Sequence, residues 1–282
     1  MPSVSKVKTA TAGLISRIKR IMIELDKIYN EDCLEGMKRI ADGAVDCIIT
    51  DLPYGTTACA WDSVIPFEPL WEQFKRVTKP NAAIVLFGQE PFSSALRMSN
   101  IGWFRYDWIW DKGRGHNFAQ ANFCPMRSHE IISVFSDAPA IYSSDGRKCR
   151  YNPQMWDSGK PYFIREHQRK NQTAMMRKNS NVAKFRPTTD NHGERYPLSI
   201  LPFDRDEGGK HPTQKPVDLL RYLILTYSNE GDTILDATIG SGTTAVAALM
   251  EKRHFIGFET NKEYFDIAQG RIDQVLRNPT LF

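Results

Sequence analysis

Short runs of β-branched and aliphatic residues recur along the chain, and between them apolar positions return every three or four residues. This is the alternation of strands with amphipathic helices that builds an α/β sheet. The pattern predicts seven strands in one sheet, at Lys27–Asn30, Val45–Thr50, Ala83–Phe87, Tyr106–Trp110, Ile131–Phe135, Thr233–Asp236 and Phe255–Glu259. It predicts helices over Leu34–Ile40, Phe67–Val77, Pro216–Tyr227, Thr243–Glu251 and Lys262–Leu276.

The rhythm fails between Gly146 and Phe203, where neither helical nor alternating periodicity is visible and 12 basic residues stand against 4 acids, in a chain whose net charge is only +4. Asn, Gln, Tyr and Trp are interspersed with the cations. Cations neutralise phosphates, while amides and aromatic rings read or stack on bases, so the segment reads as an inserted, loop-rich nucleic-acid surface. A second basic stretch, residues 1–21, holds Lys6, Lys8, Arg17, Lys19 and Arg20 with no acid, and reads as an unordered extension without assigned function.

Composition narrows the class further. With 282 residues, 41% hydrophobic and 25% charged, the chain can bury a core, and no apolar run approaches the roughly 18 residues of a membrane span. The five cysteines (Cys33, Cys47, Cys59, Cys124, Cys149) are scattered without Cys-x-x-Cys or paired histidines. Neither a disulfide framework nor a metal site is expected, and a reduced, cytoplasmic setting without membrane contact fits best.

Two motifs carry chemistry. The strand Thr233–Asp236 runs into Ala237-Thr238-Ile239-Gly240-Ser241-Gly242-Thr243-Thr244 and then an Ala-rich helix, and a Gly-x-Gly turn between strand and helix lets backbone approach a cofactor closely. The next predicted strand ends on Glu259, 23 residues after Asp236, where an acid can accept both hydroxyls of a ribose. A phosphate loop would need a lysine after Gly242, where Thr243 stands. A dinucleotide fingerprint would want a third glycine where Ala245 stands, which the looser pattern allows, so nicotinamide binding stays open on these residues alone.

The second motif ends the strand Val45–Thr50: Asp51-Leu52-Pro53-Tyr54-Gly55 sets a carboxylate, a stiff proline turn and an aromatic ring at the carboxyl edge of the sheet. Acceptors of this kind suit an exocyclic nucleobase amine. Binding both hydrogens out of plane frees the nitrogen lone pair from the ring, and Tyr54 can stack on a base that has left the duplex. A cytosine-C5 mechanism would want Pro-Cys, and the only such neighbours are in reverse order, Cys124-Pro125.

With His211-Pro212-Thr213-Gln214-Lys215-Pro216, these residues make the chain resemble the β-class of S-adenosylmethionine-dependent DNA amino-methyltransferases from about Met22 onward, in the order tetrad, variable insert, cofactor turn. The resemblance implies a Rossmann-like seven-stranded methyltransferase sheet with circularly permuted motif order. It divides the chain into the extension 1–21, a catalytic half 22–145, a target-recognition region 146–208 and a cofactor-binding half 209–282. It implies Asp51, Leu52, Pro53 and Tyr54 as the catalytic tetrad. S-adenosylmethionine would be held by Asp32, Asp51, His211, Thr213, Lys215, Pro216, Asp236, Thr238, Gly240, Ser241, Gly242, Thr243 and Glu259. DNA would be met by Lys112, Asn117, Arg165, Arg169, Lys170, Arg177 and Lys178. Similarity extends through Trp110-Asp111-Lys112 and the strand beginning at His129-Glu130.

The implied function is methyl transfer to adenine N6 in double-stranded DNA. The alternatives are cytosine N4, an RNA or protein-amide methyltransferase, and an inactive DNA-binding module. A homodimer and a cognate restriction endonuclease are partner questions the sequence leaves open. Two departures stand out. Leu52 replaces the usual first proline while keeping the carbonyl acceptor, and Thr238 replaces an aromatic residue in the cofactor turn, so the largest departure is expected on the cofactor side.

Overall fold

The structure, a computed structural model, describes residues 23–55, 63–141, 145–160, 162–163, 190–205 and 214–278. The chain divides into two compact units, one of residues 1–152 with 199–282 and a smaller one, Pro153–Leu198, that lies within the predicted insert.

In the larger unit the strands are β1 (Lys27–Tyr29), β2 (Val45–Thr50), β3 (Thr78–Gly88), β4 (Phe104–His116) and β5 (Arg127–Phe135) in the first part of the chain. Later come β10 (Ile200–Pro202), β11 (Thr233–Asp236) and β12 (His254–Phe258). They form one sheet in the order β1-β12-β11-β2-β3-β5-β4-β10, in which β5 alone runs antiparallel to its neighbours. The seven predicted strands are all present. The sheet has eight because Ile200–Pro202 adds a short edge strand beside β4, with register Leu201↔Trp110. Three residues ending in proline show no alternation, and proline is tolerated at an edge.

Every residue of β2 is buried, as expected of a parallel strand covered on both faces. On one face, Cys47, Ile49, Val85, Phe87 and Trp110 pack under helices α4 (Val217–Tyr227), α5 (Thr243–Met250) and α6 (Lys262–Arg277). On the other, Ile48, Leu86, Ile256 and Phe258 pack under α1 (Cys33–Met37), α2 (Phe67–Val77) and α3 (Phe92–Ser99). The chain moves from β11 to β12 on one side and from β2 to β3 on the other. The crevice at the carboxyl ends of the paired strands β11 and β2 is therefore a switch point, where open α/β sheets bind ligands.

The smaller unit holds two short antiparallel ladders, β6 (Trp156–Asp157) with β9 (Glu194–Arg195) and β7 (Tyr162–Phe163) with β8 (Asp190–Asn191). Among the described residues no helix is long and apolar enough to cross a membrane.

Gly242 shows why the Gly-x-Gly turn needs its second glycine. It enters α5 at φ +82°, and an added Cβ would lie 2.9 Å from the Cβ and 3.0 Å from the Cα of Ala268 on α6. Left-handed strain and overpacking each cost on the order of 1–3 kcal/mol, so Gly242→Ala is expected to lose about 2–4 kcal/mol in denaturant unfolding. A loss below about 0.5 kcal/mol would mean that α5 and α6 do not meet as described.

Candidate active site

The turn leaving β2 and the turn leaving β11 open onto one cavity of about 590 Å³, within the size range of ligand sites. Its lining includes Asp51, Leu52, Pro53 and Tyr54 from the first turn, Asp236, Thr238, Gly240, Ser241 and Thr243 from the second, and Glu259 from the end of β12. The two motifs, 185 positions apart from Asp51 to Asp236, share a wall because β11 and β2 pair.

Both carboxylate oxygens of Asp51 accept hydrogen bonds. Tyr54 donates its hydroxyl to Oδ1 at 2.5 Å, and Lys215 donates from Nζ to Oδ2 at 2.5 Å. The Tyr54 ring is backed by Phe92, their centroids 5.0 Å apart. Lys215 also lies 3.1 Å from Glu130 Oε2, while Lys112 donates to Glu130 Oε1 at 2.5 Å. The ammonium groups rest over aromatic faces, Lys215 over Phe87 and Lys112 over Trp110, each about 5.1 Å from the ring centre.

The chain Tyr54, Asp51, Lys215, Glu130, Lys112 thus alternates acceptors and donors through a largely buried region. Burial pushes the Asp51 carboxyl up, opposed by Lys215. It also works against charge on Glu130, yet Lys215 and Lys112 outweigh it and hold that carboxyl down at about 2. Burial likewise disfavours the Lys215 ammonium, but Asp51 and Glu130 outweigh it and the group stays charged.

On the other wall Glu259 accepts from the backbone N–H of Gly240 (2.9 Å) and of Asn261 (2.8 Å). These N–H groups fix the carboxylate at the cavity wall as an acceptor, which suits ribose hydroxyls. Gly240 sits at φ +55° with nothing within 4 Å of an added Cβ, so the turn presents open backbone to the cavity. Arg271 on α6 secures the turn from behind, donating to the Ser241 carbonyl (2.8 Å) and the Thr243 hydroxyl (3.0 Å). Burial pushes the Asp236 carboxyl up to about 6 against the Thr244 and Thr50 hydroxyls and the Thr238 N–H. This wall fits S-adenosylmethionine: a diol acceptor, glycine backbone for close approach and a buried carboxylate to face a cationic sulfur.

Thr238, expected as the weak point of the turn, joins the two walls. Its hydroxyl donates to the Asp51 carbonyl at 2.9 Å and lies 2.9 Å from the Thr50 hydroxyl. Gln214 reaches Ser241 at 3.4 Å, so the segment before α4 touches the cofactor turn.

Several expected residues sit elsewhere. Asp32 is outside the cavity lining; its carboxylate caps α1, accepting from the N–H groups of Leu34 (2.8 Å) and Glu35 (3.2 Å). Pro216 and Gly242 serve as the entries of α4 and α5. Lys112, expected at DNA, lines the cavity but is buried on Glu130, and Asn117 lies at its rim with φ +69°. His211, Thr213, Arg165, Arg169, Lys170, Arg177 and Lys178 lie outside the described residues.

Sequence reasoning gave no role to Glu130, Phe92 or Arg271. Only Glu130 left a signal: an acid at the head of Ile131-Ile132-Ser133-Val134-Phe135, a run otherwise fit for burial, asks for a cation.

A family model described as DNA methylase matches residues 45–270. Type II methyltransferase M.HpaI of Haemophilus parainfluenzae is 28% identical over 260 residues, covering 88% of this chain and 74% of its own. M.HinfI of Haemophilus influenzae is 27% identical, covering 90% of this chain and 70% of its own, and M1.MboII of Moraxella bovis is 27% identical, covering 90% and 99%. Among solved structures, the cytosine-N4-specific PvuII DNA methyltransferase superposes with a TM-score of 0.60 at 13% identity, covering 91% of this chain and 93% of that one. The M1.HpyAVI complex with S-adenosylmethionine superposes at 0.53 with 24% identity, covering 87% and 98%. At these identities the likeness is one of fold.

Lys215 is the cation that Asp51 and Glu130 share, so Lys215→Met leaves two neighbouring carboxylates short of charge. The expected loss is about 3–5 kcal/mol at pH 7.5. In the native protein Glu130, held below its ordinary value of 4.5, contributes stability that is present above that value and lost as pH falls toward about 2. Without Lys215 the carboxyls titrate higher, so the deficit of the variant should narrow between pH 7.5 and pH 5 in urea unfolding; a deficit that does not change with pH would contradict the shared charge.

Proposed function

The chain belongs to the DNA methylase family of S-adenosylmethionine-dependent amino-methyltransferases, and from that premise we propose that it methylates the N6 amine of an adenine turned out of duplex DNA. The observation carrying this reading is the single cavity lined by both the Asp51–Tyr54 turn and the Gly240–Glu259 wall. An aspartate at the head of the tetrad supports adenine over cytosine N4.

An exocyclic amine is a poor nucleophile because its lone pair is delocalised into the ring. Asp51 and the backbone carbonyl of Leu52 or Pro53 would draw both hydrogens out of plane, leaving the lone pair directed into the cavity. Tyr54 would hold the base by one ring face, the other being packed on Phe92. When bound, S-adenosylmethionine supplies a methyl group on a positively charged sulfur. Thr238 keeps the acceptor turn in register with the cofactor turn through the Asp51 carbonyl, and positioning of this kind is a main source of rate. Asp51 would also take the proton that the amine sheds after acquiring a fourth bond.

The rim residues Asn117, Gln120, Arg127 and Arg205 would offer amides and cations to the DNA beside the extruded base. Extrusion of the base costs a few kcal/mol.

Asp51→Ala is expected to abolish tritium transfer from labelled S-adenosylmethionine to duplex DNA while the protein still folds and still binds DNA, with some loss of stability because Lys215 is left with Glu130 alone. Wild-type protein that labels RNA or protein instead, or that binds DNA without labelling it, would favour the alternative classes. Sequencing DNA from expressing cells identifies the base: N6-methyladenine is expected, and N4-methylcytosine would overturn the choice of adenine.

Asp236 yields a pH prediction. A cationic cofactor favours the ionised carboxylate, so affinity should rise with pH through about 6. Titration calorimetry should find binding about tenfold weaker at pH 5 than at pH 7.5, a difference lost in Asp236→Asn. A wild-type affinity flat across that range would remove Asp236 from the cofactor wall.

A further inference from the structure

We propose that Glu130 is a positioning residue, the second acceptor that takes the Lys215 ammonium when the target amine engages Asp51. The inference rests on the reading of the site as a DNA amino-methyltransferase and assigns it a moving charge.

Asp51 is already doubly engaged, by Tyr54 on one oxygen and Lys215 on the other. The amine gains positive charge as its new bond forms. A lysine kept on the same carboxylate would drain the acceptor and repel that charge, since like charges held close together in a largely buried region repel strongly. The lysine needs another place.

Glu130 provides it. The residue is 8% exposed, and its Oε2 accepts no well-directed hydrogen bond although Lys215 Nζ lies only 3.1 Å away. A buried acceptor left in this condition calls for a reason. Its other oxygen is held by Lys112 at 2.5 Å, so the carboxylate is anchored while Oε2 stays available. Lys215 has a flexible stem and lies over both Phe87 (5.1 Å) and Trp110 (6.0 Å), ring faces that favour the cation as it passes between the two carboxylates. No covalent bond is made or broken; Lys215 already spans both carboxylates, and the hand-over gives up its hydrogen bond to Asp51 and tightens its contact with Glu130 Oε2.

Glu130→Gln keeps the shape and removes the receiving charge, so Lys215 should stay on Asp51. With tritiated S-adenosylmethionine and DNA from a methylase-deficient host, kcat is expected to fall at least about tenfold while the cofactor Kd and the KM for DNA stay within about threefold. Glu130→Asp, which keeps the charge, should recover part of the rate.

The decisive variant is Glu130→Gln with Lys215→Met, which removes one charge of each sign and the lysine that would block Asp51. It should turn over faster than Glu130→Gln alone. If the two losses instead add, or if Glu130→Gln retains a kcat within about twofold of wild type, the hand-over is wrong. Should Glu130→Gln not fold, the charge-balanced double variant carries the test by itself: measurable turnover supports the hand-over, and intact cofactor binding without turnover overturns it. Wild-type protein that transfers no methyl to DNA would overturn the underlying reading and this inference together, whereas an active wild type with an indifferent Glu130→Gln overturns only this one.

Discussion

The pairing of β11 with β2 is the constraint on which the site depends. Parallel neighbours deliver their following turns to the same edge, and here those turns are the acceptor turn at Asp51 and the glycine turn at Gly240. The helices that follow the two strands lie on opposite faces of the sheet, which opens a crevice at that seam. Thr238, bonded to the Asp51 carbonyl, converts the adjacency of two strands into a fixed spacing between two loops.

Around the crevice, charge is managed by alternation rather than by exclusion. Asp51, Glu130, Lys112 and Lys215 would each be costly to bury alone, and burial does push against their charged forms. Interleaved, with Phe87 and Trp110 beneath the lysines, they form a set of two acids and two bases in which each charge faces an opposite one. Asp236 stands outside this set, opposed only by hydroxyls and a backbone N–H, and burial therefore raises its carboxyl to about 6 while that of Glu130 is held down.

Much of this was legible in the sequence because its signals are local. Strands β2 and β11 were read to the residue from β-branched runs, and the tetrad and glycine turn from turn chemistry at the strand ends. Strand ends were read less well. β4 runs on to His116 and β5 begins at Arg127 because the hairpin between them keeps pairing through polar residues that carry no alternation. Roles that depend on contact across the fold were hidden. Asp32 looked like a ligand contact and turned out to cap the helix that follows it, and Thr238 looked like a lost aromatic ring and proved a tie between loops. Lys112 looked like a contact to DNA because nothing nearby in sequence announces Glu130, which stands on the other strand of the hairpin. Residues 161 and 164–189 of the inserted basic segment, with seven of its twelve cations, lie outside the described residues.

Strand β1 lies against β12, with the Glu259 N–H bonded to the Tyr29 carbonyl at 3.0 Å and the Asn30 side chain donating to the carbonyls of Glu259 and Thr260. Among the described residues the first and last strands therefore meet beside Glu259, so what this seam holds is a spatial neighbourhood and not an order of elements along the chain.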